Sequence, residues 1–267
     1  MGATASQTPV GHRGPRREEF QMRVVVAGAT GLIGSRTVAR LRDHGVDVVP
    51  VSRRTGVDVI TGEGLDDALR SAEVVVDVTD APSRAESVST EFFGASTANL
   101  LRAAASAGAE HYVVLSVVGA DPARPGYFRA KALQEELARR SPIPHTIVRA
   151  TPFYETVDAL SRRDENADGI HVAPVLTRPV STDDVAASIA HVAVDVPLFG
   201  IIEIAGPEEF RLDELTAKLL AARGEPRIVV PDTHAPFFGA VPGQRTLLPG
   251  AGAHVGHETF AHWIARD

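Results

Sequence analysis

The sequence predicts an α/β fold, a doubly wound and mostly parallel β-sheet with helices on both faces, and three observations carry the prediction. Short β-branched runs alternate with helical stretches along the chain, the pattern of strand–helix–strand units. The first run, residues 24–27, ends in Gly28, Gly31 and Gly34 and passes into a helical stretch at 35–42 with Val38 and Leu41 as apolar positions. At 267 residues the chain can bury a full core as one large domain, or as one domain with an appended lobe.

Composition narrows the function classes. Apolar residues make up 44% and charged residues 23%, as in an ordinary globule. A net charge of −7 and a pI near 5.8 argue against nucleic-acid or anionic-membrane partners. The chain has no cysteine, which excludes disulfides, thiolate catalysis and cysteine-based zinc sites. Residues 1–21 are polar and rich in Gly, Pro and Arg, with no apolar core for a signal peptide, so a disordered leader is expected and Met22 is a candidate internal start. No stretch approaches a membrane span, and a cytoplasmic location is expected.

The strand, glycine turn and helix at the start form the phosphate-binding corner of a dinucleotide fold. Glycines let the backbone turn tightly and approach a pyrophosphate, while free N–H groups at the helix start hold its charge. The spacing is G-x-x-G-x-x-G rather than the usual G-x-G-x-x-G. Gly28, Thr30, Gly31, Leu32, Ile33 and Gly34 are the expected cofactor contacts. A second strand, Asp47–Val51, runs into Ser52, Arg53 and Arg54. At that position an acidic residue binds the 2′-hydroxyl of NAD, whereas arginine accommodates the 2′-phosphate of NADP. A hydroxyl followed by two guanidiniums predicts NADP(H); the alternative is solvated loop charges.

The alternation continues. Residues 57–60 read as a short third strand, in which Asp58 either accepts from the adenine amino group or is a surface carboxylate. Residues 65–71 read as a short helix and 74–78 as a fourth strand. The turn after it places Thr79 and Ala81 as backbone neighbours of the cofactor, since strand carboxyl ends line the ligand crevice in open α/β sheets. A helix over 91–107 is closed by Gly108, and residues 113–116 form the fifth strand. Tyr127–Arg140 is a helix introduced by Pro125-Gly126 and stopped by Pro142. His145–Ala150 is the sixth strand, and Phe153 and Tyr154 beyond it are either walls of a substrate pocket or core packing. An edge strand is expected at 171–176, a helix capped by Thr182 or Asp183, a strand at 201–205 and a helix at 212–223 closed by Gly224. Residues 225–267 are rich in proline and glycine, with a short helix at 258–264. The ten histidines include no H-x-x-x-H pair, so no metal site is expected.

The chemistry is expected after the fifth strand. Tyr127 and Lys131 are four apart and project from one helical face. An ammonium beside a phenol favours the phenolate and makes the hydroxyl a better proton donor to a reduced carbonyl. Ser116, Tyr127 and Lys131 are the candidate catalytic residues; Tyr127 alternatively serves as a pocket aromatic, and Ser116 as a strand-end hydroxyl bonded to backbone.

Together, the GATGLIG turn, Ser-Arg-Arg after strand two, Leu115 to Ala120, the Tyr-x-x-x-Lys pair and the run Thr-Ile-Val-Arg-Ala-Thr-Pro-Phe resemble the atypical short-chain dehydrogenases/reductases. The nearest group is the NmrA-like and triphenylmethane-reductase-like branch, over essentially everything from Met22 on. The resemblance implies a Rossmann-type domain with a small substrate-covering lobe, built mainly from 151–180 and 225–267, with Phe237 and Phe238 over the crevice. It further implies NADP(H) as cofactor, a contact from Lys131 to it, and a small-molecule substrate: a quinone, dye or other conjugated acceptor. Members of the branch that lack catalysis sense the nucleotide ratio instead, which is the alternative function. A monomer or homodimer is expected.

Overall fold

The computed structural model describes residues 21–162 and 168–266. The expected leader therefore lies, except for Gln21, outside the described residues. The chain begins with β1 (Arg23–Ala27), α1 (Leu32–Asp43) and β2 (Asp47–Val51), followed by α2 (Leu65–Ala68) and β3 (Val74–Asp77). Next come α3 (Glu86–Ala107), β4 (His111–Val117), α4 (Tyr127–Arg140) and β5 (His145–Ala150). The second half contains α5 (Tyr154–Ser161), β6 (Ile170–Val172), β7 (Leu176–Thr177), α6 (Thr182–Val194) and β8 (Gly200–Ala205). It closes with β9 (Phe210–Arg211), α7 (Leu212–Ala222), β10 (Val229–Pro231), β11 (His254–Val255) and α8 (Phe260–Ile264).

Seven strands form one sheet in the order β11-β8-β5-β4-β3-β1-β2, and every pairing in it is parallel. Strands buried on both faces read as unbroken apolar runs, which is why β1 and β3 are mostly valine. Their side chains alternate between two cores. Val24, Val26, Val74 and Val76 pack under α1 and α6, while Val25, Ala27 and Val75 pack under α2, α3 and α4. The chain leaves β1 toward β2 and then returns to β3 on the other side. Strand order therefore reverses at β1/β3, and a crevice opens at the carboxyl ends there.

A third core belongs to the lobe over that crevice. Tyr154, Val157 and Leu160 of α5 pack with Leu215 and Leu219 of α7, with Ile170, Phe237 and Trp263. Two small sheets, β10 with β6 and β7 with β9, tie the lobe together. The lobe thus recruits α7, which the sequence left in the main domain, while β11 leaves the carboxyl-terminal segment to join the main sheet beside β8.

Four expectations are corrected locally. Residues 57–60 form a turn, because the Asp58 carboxylate accepts the N–H groups of Ile60 (2.8 Å) and Thr61 (3.4 Å) and outcompetes sheet pairing. Helix α3 starts at Glu86, ahead of the first apolar period. The cap of α6 is Ser181, whose hydroxyl accepts the Asp184 N–H at 3.1 Å, rather than Thr182 or Asp183. The single edge strand at 171–176 is two, β6 and β7, broken around Pro174, which has no N–H to give a ladder. Among the described residues no helix is long and apolar enough to cross a membrane.

Candidate active site

The carboxyl ends of β1, β2, β3, β4 and β5 open into one cavity of about 800 Å³ that extends under the lobe. At its floor lies the glycine turn. Gly28 has φ +84°, and a Cβ there would lie 2.7 Å from the Val78 carbonyl. A Cβ on Gly34 would lie 2.0 Å from the Gly28 carbonyl. Glycine is therefore required for β1, β3 and α1 to approach one another. Gly28, Thr30, Gly31, Leu32 and Ile33 line the cavity, and Gly34 supports them from behind. Gly31 caps α1 without a side-chain hydrogen bond, so the first turn presents N–H groups to a ligand anion.

Beside the turn, Ser52, Arg53 and Arg54 line the cavity. The Ser52 hydroxyl is buried and has no partner, and neither guanidinium has an ion pair among the described residues. The glycine cradle and two cations without ion pairs among the described residues suit the phosphates of a nicotinamide dinucleotide. Asp58 also lines this end, with its carboxylate turned to its own loop amides. Thr79 lines the wall and donates its hydroxyl to Asp77 at 2.6 Å. Ala81 does not line the cavity; it packs on the cluster of Phe93, Tyr127 and Ala130.

The other end is built by β4 and α4. Ser116, Tyr127 and Lys131 all line the cavity, and all three are buried. They do not form the expected relay. Tyr127 donates its hydroxyl to Asp80 at 2.6 Å, and Asp80 in turn pairs with Arg84 at 3.0 Å. The Arg84 guanidinium covers the Tyr127 ring at 4.2 Å and the Phe238 ring at 4.6 Å. Burial first, and the Asp80 charge second, push the Tyr127 phenol well above its ordinary value. The expectation that Lys131 activates Tyr127 is therefore corrected: a carboxylate, not an ammonium, is the partner of the hydroxyl. Lys131 instead donates to the Leu115 carbonyl at 2.6 Å and to the Gln134 side chain, and lies over the Phe93 ring. Burial pulls its ammonium down to about 8, with Asp80 and Asp77 opposing the fall. Ser116 donates to Glu135 at 2.6 Å, and Glu135 holds Arg149 through two short bonds of 2.7 and 2.6 Å.

The sequence of residues 28–195, more than half of the chain, matches the model of one protein family, described as NAD(P)H-binding. The chain belongs to the NAD(P)H-binding family. That match supports the resemblance to the atypical short-chain dehydrogenases/reductases of the NmrA-like branch. No curated protein matches the sequence. Solved structures share the fold at low identity. MoeE5 in complex with UDP-glucose and NAD aligns with a TM-score of 0.69 at 20% identity, over 91% of this chain and 96% of its own. The dTDP-4-dehydrorhamnose reductase of Bacillus anthracis, solved with NADP, gives 0.64 at 17%, over 84% and 89%. The triphenylmethane reductase of a Citrobacter species gives 0.60 at 17%, over 80% and 79%.

Within this NAD(P)H-binding fold several site residues escaped the sequence. Asp77 is fully buried and gathers Tyr112 (2.8 Å), Gln134 (2.9 Å) and Thr79, while Gln134 carries that network to Lys131. Gln134 had one signal, its position three residues beyond Lys131 on α4. Asp80 and Arg84 pair within one turn, but the contacts that bring Asp80 to Tyr127, and Glu135 to Ser116 and Arg149, cross between elements and leave no local signal. Phe153 lines the cavity with Phe92, Phe237 and Phe238. Tyr154 does not: it is buried against Trp263 with ring centroids 5.3 Å apart, and its hydroxyl reaches the Glu258 carbonyl. As the first residue of α5 it turns into the lobe core, so it is packing and not a pocket wall.

Proposed function

We propose that this NAD(P)H-binding protein is an NADPH-dependent oxidoreductase that reduces a small conjugated carbonyl, quinone or dye-like acceptor. The observation that carries the reading is the Tyr127 hydroxyl bonded to Asp80 and held neutral. Reduction of a simple ketone needs an acid poised at the carbonyl oxygen. An extended π-system spreads the incoming charge and needs little such help, and the aromatic walls Phe92, Phe153 and Phe238 suit a flat apolar acceptor.

NADPH, when bound, supplies the hydride. The chain's own residues do the rest. Ser52, Arg53 and Arg54 hold the 2′-phosphate by charge-assisted hydrogen bonds, and the first-turn N–H groups of α1 hold the pyrophosphate. Lys131, anchored by Leu115 and Gln134, contacts the nicotinamide ribose and supplies positive charge beside the acceptor. The phenyl rings exclude water from the reacting face.

NADPH oxidation followed by absorbance loss, against quinones, triphenylmethane dyes and simple ketones, tests the reading. Turnover on the conjugated acceptors and not on simple ketones is expected. Tight NADPH binding without turnover on any acceptor would contradict the enzyme and favour a nucleotide-sensing role.

A further inference from the structure

Asp77, the last residue of β3, is fully buried, and donors converge on both oxygens of its carboxylate. The Thr79 N–H (3.0 Å) and hydroxyl (2.6 Å) meet one oxygen. The Tyr112 hydroxyl (2.8 Å) and the Gln134 side-chain amide (2.9 Å) meet the other. Neither Asp77 nor Gln134 lines the cavity. Gln134 is fully buried on α4, and its amide oxygen accepts from Lys131, which does line it.

An amide between those two groups has one workable direction. An ammonium only donates and a carboxylate only accepts, so the bridging group must accept on one side and donate on the other. Turned round, the Gln134 amide would set N–H against N–H and oxygen against oxygen. Asp77 therefore dictates that the amide oxygen faces Lys131. The Leu115 carbonyl takes a second N–H of the ammonium at 2.6 Å, which leaves the third without a protein partner among the described residues. Two fixed bonds aim the third, whereas one alone lets the ammonium swing. The other charges around Lys131 come from Asp80 and Arg84 in the turn after β3 and from Glu135 on α4, with the Tyr127 ring 6.0 Å away. Among the described residues, none of these bonds the ammonium directly.

We infer that Asp77 is a positioning residue for the cofactor: through Gln134, a second positioning residue, it holds the Lys131 ammonium in place for the nicotinamide ribose, an inference that rests on the cofactor reading above. Loss of the Gln134 amide removes one of two acceptors from a buried ammonium, which weakens its hold on a proton by about tenfold.

The chain has two lysines, Lys131 and Lys218, so a lysine-labelled sample gives one side-chain NMR signal for each. Lys218 is exposed on α7 and serves as the internal reference. Gln134→Met fills the same space without an acceptor. Its Lys131 signal is expected to titrate about one pH unit below that of wild type, with Lys218 unmoved. NADPH affinity is expected to fall about fivefold at pH 8 and no more than about twofold at pH 6, where the ammonium stays charged in both proteins. In a Lys131→Met background the same substitution should change affinity by less than about twofold, because the residue acts only through the lysine. Asp77→Asn, the second variant, should move the Lys131 titration in the same direction, since an amide at 77 no longer fixes the direction of Gln134. An unmoved Lys131 signal in both variants, or an equal loss of affinity at both pH values, would overturn the inference. Wild type that fails to bind NADPH while Gln134→Met still moves the lysine signal would instead overturn the cofactor reading beneath it.

Discussion

Lys131 is buried beside the Phe93 ring and donates to the Leu115 carbonyl and the Gln134 amide oxygen. Its pKa falls to about 8 for that reason, against an ordinary value near 10.5. Between those values the unfolded chain holds a proton that the folded chain has lost, so this group makes stability rise with pH through that window. Below about 8 the fold carries the cost of a buried charge. Lys131→Met is accordingly expected to be at least as stable as wild type at pH 7 by urea denaturation, while NADPH affinity drops about tenfold. Wild-type affinity should weaken as pH rises through about 8, and the variant should show no such limb. A second residue stores strain. Phe238 has φ +53° and Gly239 φ +81°, and Phe237 and Ala240 exchange both backbone hydrogen bonds, a two-residue turn that favours Asn-Gly. Phe238→Asn should therefore be more stable than Phe238→Ala by about 1 kcal/mol, because asparagine tolerates positive φ. Both should raise KM for the acceptor, since both remove a cavity wall; equal stabilities would argue that the turn relaxes freely.

At the scale of elements, α1 is locked to β1 and β3 by the absence of side chains. Gly34→Ala would drive a methyl into the Gly28 carbonyl and is expected to cost about 3 kcal/mol together with cofactor binding. Gly94→Ala is the contrast: it sits in α3, with Leu133 at 3.9 Å as its nearest neighbour, and should be neutral or stabilising by up to about 1 kcal/mol. Thermal or urea unfolding of both variants checks the pair. Elements of this kind were readable because their cause is local. A valine run ended by Gly28 marked β1, a β-branched run marked β3, and Pro125-Gly126 with Pro142 bounded α4 to the residue. Residues 57–60 misled because valine and isoleucine suit strands, whereas the Asp58 side chain competes for the loop amides only once the chain has turned. The Tyr127–Lys131 spacing was equally local and put both side chains on the cavity. The partner that decides the chemistry of Tyr127 comes from the turn after β3, 47 residues earlier, and nothing in the helix announces it. Between the two readings of Tyr154 the sequence could not choose for the same reason, since Trp263 meets it only in the assembled lobe.

For the whole molecule, the cavity exists because the strand order reverses at β1/β3 and the lobe then roofs the gap. In a chain of net charge −7, Arg53 and Arg54 place positive charge at one end of the cavity, where the proposed 2′-phosphate would sit. Replacing both by alanine should weaken NADPH by tenfold or more and NADH little, as measured by titration of each; equal losses would remove the 2′-phosphate from that place. At the opposite end, where the proposed reduction is placed, an Asp80-bound phenol and a buried ammonium line an aromatic cleft. Whether Tyr127 gives up a proton therefore decides the chemistry of this end. The direct measurement is NADPH-dependent turnover of Tyr127→Phe beside wild type, on the acceptor found active. Turnover within about threefold of wild type is the predicted result, since loss of a true general acid costs ~100-fold or more. A drop of that larger size, with NADPH affinity unchanged, would contradict it and restore Tyr127 as the proton donor.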